Sequence, residues 1–155
     1  MPEKEVIERA KKDKREGKSA STQAGEFVRE EIDHIRQGKH GARSTRQAIA
    51  IGLSEARRAG VDLPPPKKGE ASRETIKRAK RDRATATKSG SKIAQKSSSK
   101  RARASSTALK REGRSAASRL ALSKHARKSV RKRSAGERSA AARKAARTRA
   151  KNRKR

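Results

Sequence analysis

The chain has 155 residues, of which 47 are Lys or Arg and 16 are Asp or Glu, so its formal net charge is +31. Only 29% of the residues are hydrophobic and 1% are aromatic, too little apolar surface to offset the entropy of ordering the whole chain. The absence of cysteine excludes disulfides, zinc–thiolate sites and cysteine nucleophiles.

Charge and apolar content divide the sequence near residue 66. Residues 1–66 hold 14 basic and 11 acidic residues, whereas residues 67–155 hold 33 basic and 5 acidic residues. Most of the large apolar residues also lie in the first part. We therefore predict a mostly α fold: a small helical hairpin of two to three helices over residues 1–66, followed by a long, disordered or inducibly helical basic tail over residues 67–155.

Two helices are predicted in the first half of the head, over about residues 2–16 and 22–37. The first has a narrow apolar face and ends at Gly17. The second places Phe27, Ile32 and Ile35 in one stripe at helical spacing, which favours a packed helix. Its charged outer face, which includes Glu30, is interpreted as solvated.

A third helix is predicted over about residues 45–59, although QAIAIGLSEA has the alternating spacing of a strand. The sequence STRQ is a capping box, in which the Ser44 hydroxyl accepts from the Gln47 N–H and the Gln47 side chain reaches back to the Ser44 N–H. Gly60 and the three prolines that follow end the helix. No second strand-like run is present to pair with a strand, so the helix is favoured.

The third helix carries two further signals. Gly52 permits close approach of a neighbouring helix, and Ile51 points away from the main apolar stripe by helical geometry. Ile51 is therefore a candidate interface with the N-terminal helix or with a second copy of the chain, a possible homodimer. Arg57 and Arg58, at the end of the helix, are interpreted as dipole and solubility residues.

The tail predicts polyanion binding, because release of counterions from nucleic acid favours its association with so many cations. Without proline, it can also form helices once its charges are neutralised, over about residues 72–88 and 114–133. The candidate nucleic-acid contacts in the tail are Arg101, Arg103, Lys110, Arg111, Arg114, Arg119, Lys124, Arg127, Lys128, Arg131, Lys132, Arg133, Arg143, Lys144, Arg147, Arg149, Lys151, Arg153, Lys154 and Arg155.

In the head, Lys39, His40, Arg43 and Arg46 flank the start of the third helix, whose free N–H groups suit a phosphate. The same residues are explained equally well by an ordinary connection between helices that its charges keep solvated, and both interpretations stay open.

Catalytic, metal and cofactor sites find little support in the sequence. His34, His40 and His125 are accompanied by no cysteine and no carboxylate cluster at ligand spacing, so each is interpreted as a surface residue. Glu30 and Glu31 are interpreted as part of a solvated face. No phosphate-loop or dinucleotide glycine pattern is present. We expect no enzyme activity, no metal, no cofactor, no small-molecule substrate and no membrane binding.

Two resemblances add to this interpretation. The tail, residues 67–155, resembles in composition the Lys/Ala-rich C-terminal domains of linker histones and bacterial histone-like proteins, but it lacks their proline and favours arginine and serine. The segment GKHGARSTRQAIAIGLSEARRAGVDLPPP, residues 38–66, is similar to a segment shared by small basic bacterial proteins that are mostly uncharacterised. This second resemblance, of residues 38–66, implies a bacterial source.

The sequence thus favours a cytoplasmic, nucleoid-associated, histone-like protein that binds duplex DNA without strong sequence preference. One alternative is a basic protein associated with RNA or ribosomes. Another is an adaptor whose helical head binds a protein partner while the tail localises it.

Overall fold

The computed structural model describes residues 2–87 and 99–153, apart from the side chains of Thr85, Thr87, residues 99–102 and Asn152. The prediction of a mostly α-helical protein is confirmed, and within the described ranges the helices outnumber the two or three of a hairpin. They are α1 (Lys4–Arg15), α2 (Ala20–Arg36), α3 (Thr45–Arg58), α4 (Arg73–Thr87), α5 (Ser99–Arg111), the 3₁₀ turn Ser115–Ala117, α6 (Arg119–Arg131) and α7 (Ala135–Arg153).

The chain divides into two compact units, Met1–Ser118 and Arg119–Arg155. The first unit contains α1 to α5 and the 3₁₀ turn, and the second contains α6 and α7. This structural division lies well beyond the change of composition at residue 66. Residues that composition assigns to the basic tail therefore take part in the packing of the first unit.

Side-chain caps determine where α2 and α3 begin. The Ser19 hydroxyl accepts from the Thr22 N–H at 3.4 Å, so α2 begins at Ala20, two residues before the predicted start. The Ser44 hydroxyl accepts from the Gln47 N–H at 3.2 Å, as the capping box predicts. The Gln47 side chain, however, accepts from the N–H of Arg43 at 2.9 Å rather than from that of Ser44.

Helices α1, α2 and α3 enclose the main apolar core. Phe27 is completely buried at its centre, among Val6, Ala10 and Ala56. Val61 joins the same core just after α3, where its N–H donates to the carbonyl of Ala56. This is the contact expected when a chain turns back over the end of a helix.

A second, smaller core joins α2 and α3 to the 3₁₀ turn. Ile35, Ala42 and Ala48 pack there with Ala116 and Ala117, all of them buried. The last two residues belong to the segment that composition assigns to the tail. The small side chains of this segment allow its backbone to lie close to the head.

Gly52 lies where α3 passes α2. A Cβ atom at this position would lie 2.7 Å from the Cα of Val28 and 3.0 Å from the carbonyl oxygen of Phe27. No real Cβ atom tolerates such a separation from backbone, so the close approach of these helices requires glycine.

Helix α4 packs against α3, on the side that includes Ser54. The Ser54 hydroxyl donates to the carboxylate of Asp82 at 2.6 Å, and Arg83 forms an ion pair with Asp62. Ile51, one turn before Ser54, is half-buried. The helix side marked by Ile51 thus has a neighbour within the first unit.

Arg57 is buried, with 6% of its surface exposed, which corrects its interpretation as a solubility residue. Its guanidinium donates to the carbonyl oxygens of Leu53, Leu63 and Pro64 at 3.2–3.3 Å. Burial lowers the pKa of Arg57. The side chain therefore ties the proline-rich connection to the end of α3.

The second unit has little apolar burial. Helix α6 contains no buried residue, and its Leu120 is 67% exposed. Every side chain of α7 that the structure describes is exposed. Over the described residues, none of the helices combines the length and the apolar character that crossing a bilayer requires.

Candidate functional site

The connection between α2 and α3 is bound to the end of α5 by backbone hydrogen bonds. The Gly41 N–H donates to the carbonyl of Leu109 at 2.9 Å, and the Ala42 N–H donates to that of Gly113 at 3.1 Å. A Cβ atom at residue 41 would collide with the Glu112 carbonyl, so this approach also requires glycine. The connection and the chain near residue 110 are thus held side by side.

This contact forms an open cleft of about 680 Å³. It brings together four of the predicted nucleic-acid contacts: Lys39 and His40 from the connection, Lys110 from the last turn of α5, and Arg114 from the segment after α5. The remaining lining residues are Gln37, Gly38 and Glu112. Because one acid accompanies several cationic side chains, the cleft favours anions and is wide enough to admit phosphate groups.

The cations of the cleft differ in their surroundings. Lys110 and Arg114 are exposed. The Lys39 ammonium donates to the carboxylate of Glu3 at 3.0 Å, and this contact is the largest cause that lowers the pKa of Glu3. Lys39 would have to exchange that carboxylate for a phosphate, whereas the other two can receive a phosphate as they stand.

Arg43 and Arg46, also predicted as contacts, are exposed near the start of α3 but do not line the cleft. The guanidinium of Arg46 donates to the carbonyl of Glu70 at 3.3 Å. The four residues predicted to form one phosphate site therefore lie in two places: Lys39 and His40 line the cleft, and Arg43 and Arg46 lie outside it.

The other predicted tail contacts lie on exposed positions wherever the structure describes their side chains. The side chain of Arg101 and the residues Lys154 and Arg155 lie outside the described part of the chain. Between residues 119 and 153 the sequence has 14 Lys or Arg and a single acid, Glu137. The second unit is thus a helical surface of nearly uniform positive charge.

Beside the cleft lie two buried carboxylates, a correction to the solvated face predicted for α2. Glu30 and Glu31 are 6% and 2% exposed. One oxygen of Glu30 accepts from the Glu3 N–H at 2.7 Å, but Oε2 of Glu30 and Oε1 of Glu31 have no hydrogen-bond partner. Burial raises the pKa of Glu31. Two buried acids with unsatisfied oxygens are energetically costly, so their presence needs a reason.

Two histidines face these carboxylates. Nε2 of His40 lies 3.5 Å from Oε2 of Glu31, and Nε2 of His34 lies 3.3 Å from Oε1 of Glu3 and 4.0 Å from Oε1 of Glu30. The two imidazole rings are 6.2 Å apart, nearly edge to face. His34 and His40 are therefore largely enclosed, in contrast to the surface positions predicted for them.

The sequence did contain a signal for this cluster. Glu31 follows Phe27 by four residues and precedes Ile35 by four, so it lies on the apolar stripe of α2. A carboxylate on the buried stripe of a helix is unusual. The approach of His40 depends on the turn after α2, which helical periodicity does not describe.

Residues 11–68 match a family of unknown function (DUF6496). The matched region contains α2, α3 and the connection between them, and it includes Glu31, His34 and His40. Comparison with curated proteins and with solved structures found no match.

Proposed function

We propose that the protein is a histone-like, nucleoid-associated protein that binds duplex DNA largely without sequence preference, neutralising and compacting it. The observation that carries this proposal is the charge of residues 119–153, where 14 cationic residues accompany one acid. Those whose side chains the structure describes are exposed on α6, α7 and the turn between them. Each phosphate contact releases condensed counterions, which provides affinity without reading bases.

The aromatic content supports a duplex rather than a single strand. Phe27 is the sole aromatic residue, and it is completely buried in the main core. Proteins that bind single strands stack the bases on exposed aromatic side chains. This chain has no such platform, so contact with the phosphate backbone remains its principal means of binding.

The basic cleft gives the first unit a part in the same function. Lys110 and Arg114 are exposed there and lie beside the connection after α2. A phosphate seated in the cleft would fix the first unit on the backbone of the nucleic acid. The cations of residues 119–153 would then supply most of the affinity, and the first unit would set the position of the protein on the nucleic acid.

We further propose that the tail is inducibly helical. Helix α7 has no buried side chain among those described, and cations separated by four residues, such as Arg143 and Arg147, repel one another. Phosphates would remove that repulsion, and the alanine-rich sequence would then favour the helix. In this proposal the packed hairpin of α2 and α3 is the permanent core of the protein.

A pair of charge-neutralised variants of the full chain tests the proposal. In the tail variant four cations become glutamine, and in the control variant four exposed lysines of α1 become glutamine, so that both lose the same net charge. The tail positions are Arg143, Lys144, Arg147 and Arg149. The control positions are Lys4, Lys11, Lys12 and Lys14.

The measurement is the affinity for duplex DNA as a function of salt. The tail variant should lose affinity, and its salt slope should decrease by about 0.9 for each phosphate contact removed. The control variant should keep the slope of the parent protein. An equal loss of affinity in both variants would mean that only the net charge of the protein matters. An unchanged salt slope in the tail variant would reject the tail as the binding surface.

Competition between duplex DNA and structured RNA at fixed salt distinguishes the main alternative, an RNA-associated or ribosome-associated protein. A preference for RNA above about tenfold, or about 1.4 kcal/mol, would favour that alternative. An adaptor role for the head predicts instead a protein partner whose binding the tail variant retains. Ile51, although half-buried, stays a candidate for contact with a second copy of the chain. The molar mass of the variant Ile51→Lys in solution would test this contact.

A further inference from the structure

The buried carboxylates and histidines beside the cleft have the geometry of a metal site. One side-chain atom from each of Glu31, His34 and His40 can be chosen so that the three lie within 4.8 Å of one another. The 3.5 Å between Nε2 of His40 and Oε2 of Glu31 is close to the separation of two ligands in tetrahedral zinc, about 3.4 Å for bonds of about 2.1 Å. The third ligand atom, from His34, lies within 4.8 Å of the other two.

The hydrogen bond of the His40 ring supports the same interpretation. Its Nδ1 lies 3.2 Å from the carbonyl oxygen of Gly41, which can only accept, so a hydrogen bond between them requires the proton on Nδ1. In the neutral ring Nε2 then presents a lone pair toward the Glu31 carboxylate. Metal-binding histidines are commonly oriented in this way, by donation from the second nitrogen to a backbone carbonyl.

Glu31 provides an independent observation. It is 2% exposed, and its Oε1 atom has no hydrogen-bond partner, although it belongs to the enclosed cluster. A cation held between Glu31 and the histidines would satisfy the carboxylate and separate it from the His40 lone pair. Glu30, whose Oε2 is also without a partner, and Glu3 add negative charge on the side of His34.

We propose that Glu31, His34 and His40 bind one divalent transition-metal ion, most readily Zn²⁺, between the end of α2 and the connection that follows it. Two imidazoles and a carboxylate suit zinc and its neighbours in the first transition row, whereas Ca²⁺ and Mg²⁺ prefer oxygen ligands alone. The ion would link α2 to the connection that carries Lys39 and His40. This proposal differs from the sequence-based expectation that the protein has no metal.

The test is titration calorimetry of the full chain with Zn²⁺, after treatment with a chelator. We expect one ion per chain. Glu31→Gln and His40→Asn should each weaken binding by about 10-fold or more, as loss of a metal ligand or its support generally does. His125→Asn is the matched control, because His125 lies on α6 in the second unit, and it should bind Zn²⁺ as the parent does.

Far-ultraviolet circular dichroism of each variant separates loss of the site from loss of the fold. Glu31→Gln removes a buried charge and should keep the helical spectrum, so weaker binding in this variant reports on the ligand itself. Co²⁺ in place of Zn²⁺ should give the visible spectrum of a nitrogen and oxygen site of low coordination number, and His34→Gln should change that spectrum.

Two results would overturn the proposal. One is the absence of stoichiometric binding by the folded parent protein, which would leave the contact between His40 and Glu31 without a metal role. The other is equal binding by the parent, Glu31→Gln and His40→Asn, which would place the ion elsewhere. Neither result bears on the DNA-binding experiment, which depends on cations in α7.

Discussion

The hydroxyl of Thr45 donates a hydrogen bond of 2.6 Å to the carbonyl of Ala116, 71 residues further along the chain, and the bond is buried. Arg36 donates to the next carbonyl, that of Ala117, at 3.0 Å. Together these bonds fasten the end of the first unit to α2 and to the start of α3. They act with the backbone bonds from Gly41 and Ala42 to Leu109 and Gly113, which hold Lys110 and Arg114 beside Lys39 and His40.

Replacing Thr45 by valine should test this attachment. The variant keeps the shape of the side chain but leaves the Ala116 carbonyl buried without its partner, which should cost about 1–3 kcal/mol of the free energy of unfolding. Thr148→Val is the control, because its hydroxyl donates to the Lys144 carbonyl on an exposed helix. Denaturant titration measures the free energy of unfolding of both variants. Equal losses in the two would show that the attachment contributes little to stability.

The crossing of α2 and α3 gives a second prediction. Gly52→Ala would place a Cβ atom 2.7 Å from the Cα of Val28 and force the helices apart, so we expect a loss of about 1–3 kcal/mol in the free energy of unfolding. Gly25→Ala, on α2, meets nothing within 4 Å and should stabilise the protein by about 0.5–1 kcal/mol. The two substitutions should therefore change the free energy of unfolding in opposite directions. Stabilisation by both would contradict the observed helix separation.

Arg57 gives a third prediction, through the shape of its guanidinium. Arg57→Lys keeps the charge but cannot reach the carbonyls of Leu53, Leu63 and Pro64 together, so we expect a loss of about 1–3 kcal/mol in thermal or denaturant unfolding. Arg58→Lys is the control, because Arg58 is exposed and donates only within α3, to Ser54. It should unfold like the parent.

The pH dependence of stability should report on Glu55. Burial raises the pKa of this half-buried glutamate, so the folded state holds its proton to higher pH than the unfolded state does. The contribution of Glu55 to stability is therefore complete below its unfolded pKa and is lost as pH rises through its folded pKa.

The variant Glu55→Gln lacks this titration. Its free energy of unfolding should increase relative to the parent as pH rises from about 4 to neutrality. Unfolding curves at several pH values measure the difference. Glu5→Gln, at an exposed position on α1, is the control. A difference between Glu55→Gln and the parent that stays constant with pH would show that Glu55 has the same pKa in both states.

The inducible helix of the tail gives the last prediction. Helical circular dichroism of the full chain should increase when duplex DNA is added at low salt, because phosphates neutralise the repelling cations of α7. Ala145→Pro breaks this helix and leaves every charge in place. The increase should be smaller in that variant, while the salt slope of binding stays the same. An equal increase in both proteins would place the induced helix outside α7.

Local patterns account for much of the head. The cap at Ser44 and the stop at Gly60 bracket α3, and the apolar spacing of Phe27 and Ile35 identifies the buried side of α2, because helix ends and helix faces depend on neighbours within a few residues. The same periodicity places Glu31 on the buried side. The energetic cost of burying a carboxylate argued against this placement of Glu31. The nearby histidines reduce that cost.

The sequence by itself determined that this chain is mostly helical, that its apolar core lies in the first part, and that its second part is a polycation. These properties follow from composition and from contacts within a helical turn, which need no knowledge of the fold. Only the tertiary structure decided that Ala116 and Ala117 complete a core in the head, that Lys110 meets Lys39 across a cleft, and that Glu31 faces His40. Those contacts join residues far apart in sequence or across an irregular turn, where distance in space is set by packing rather than by periodicity.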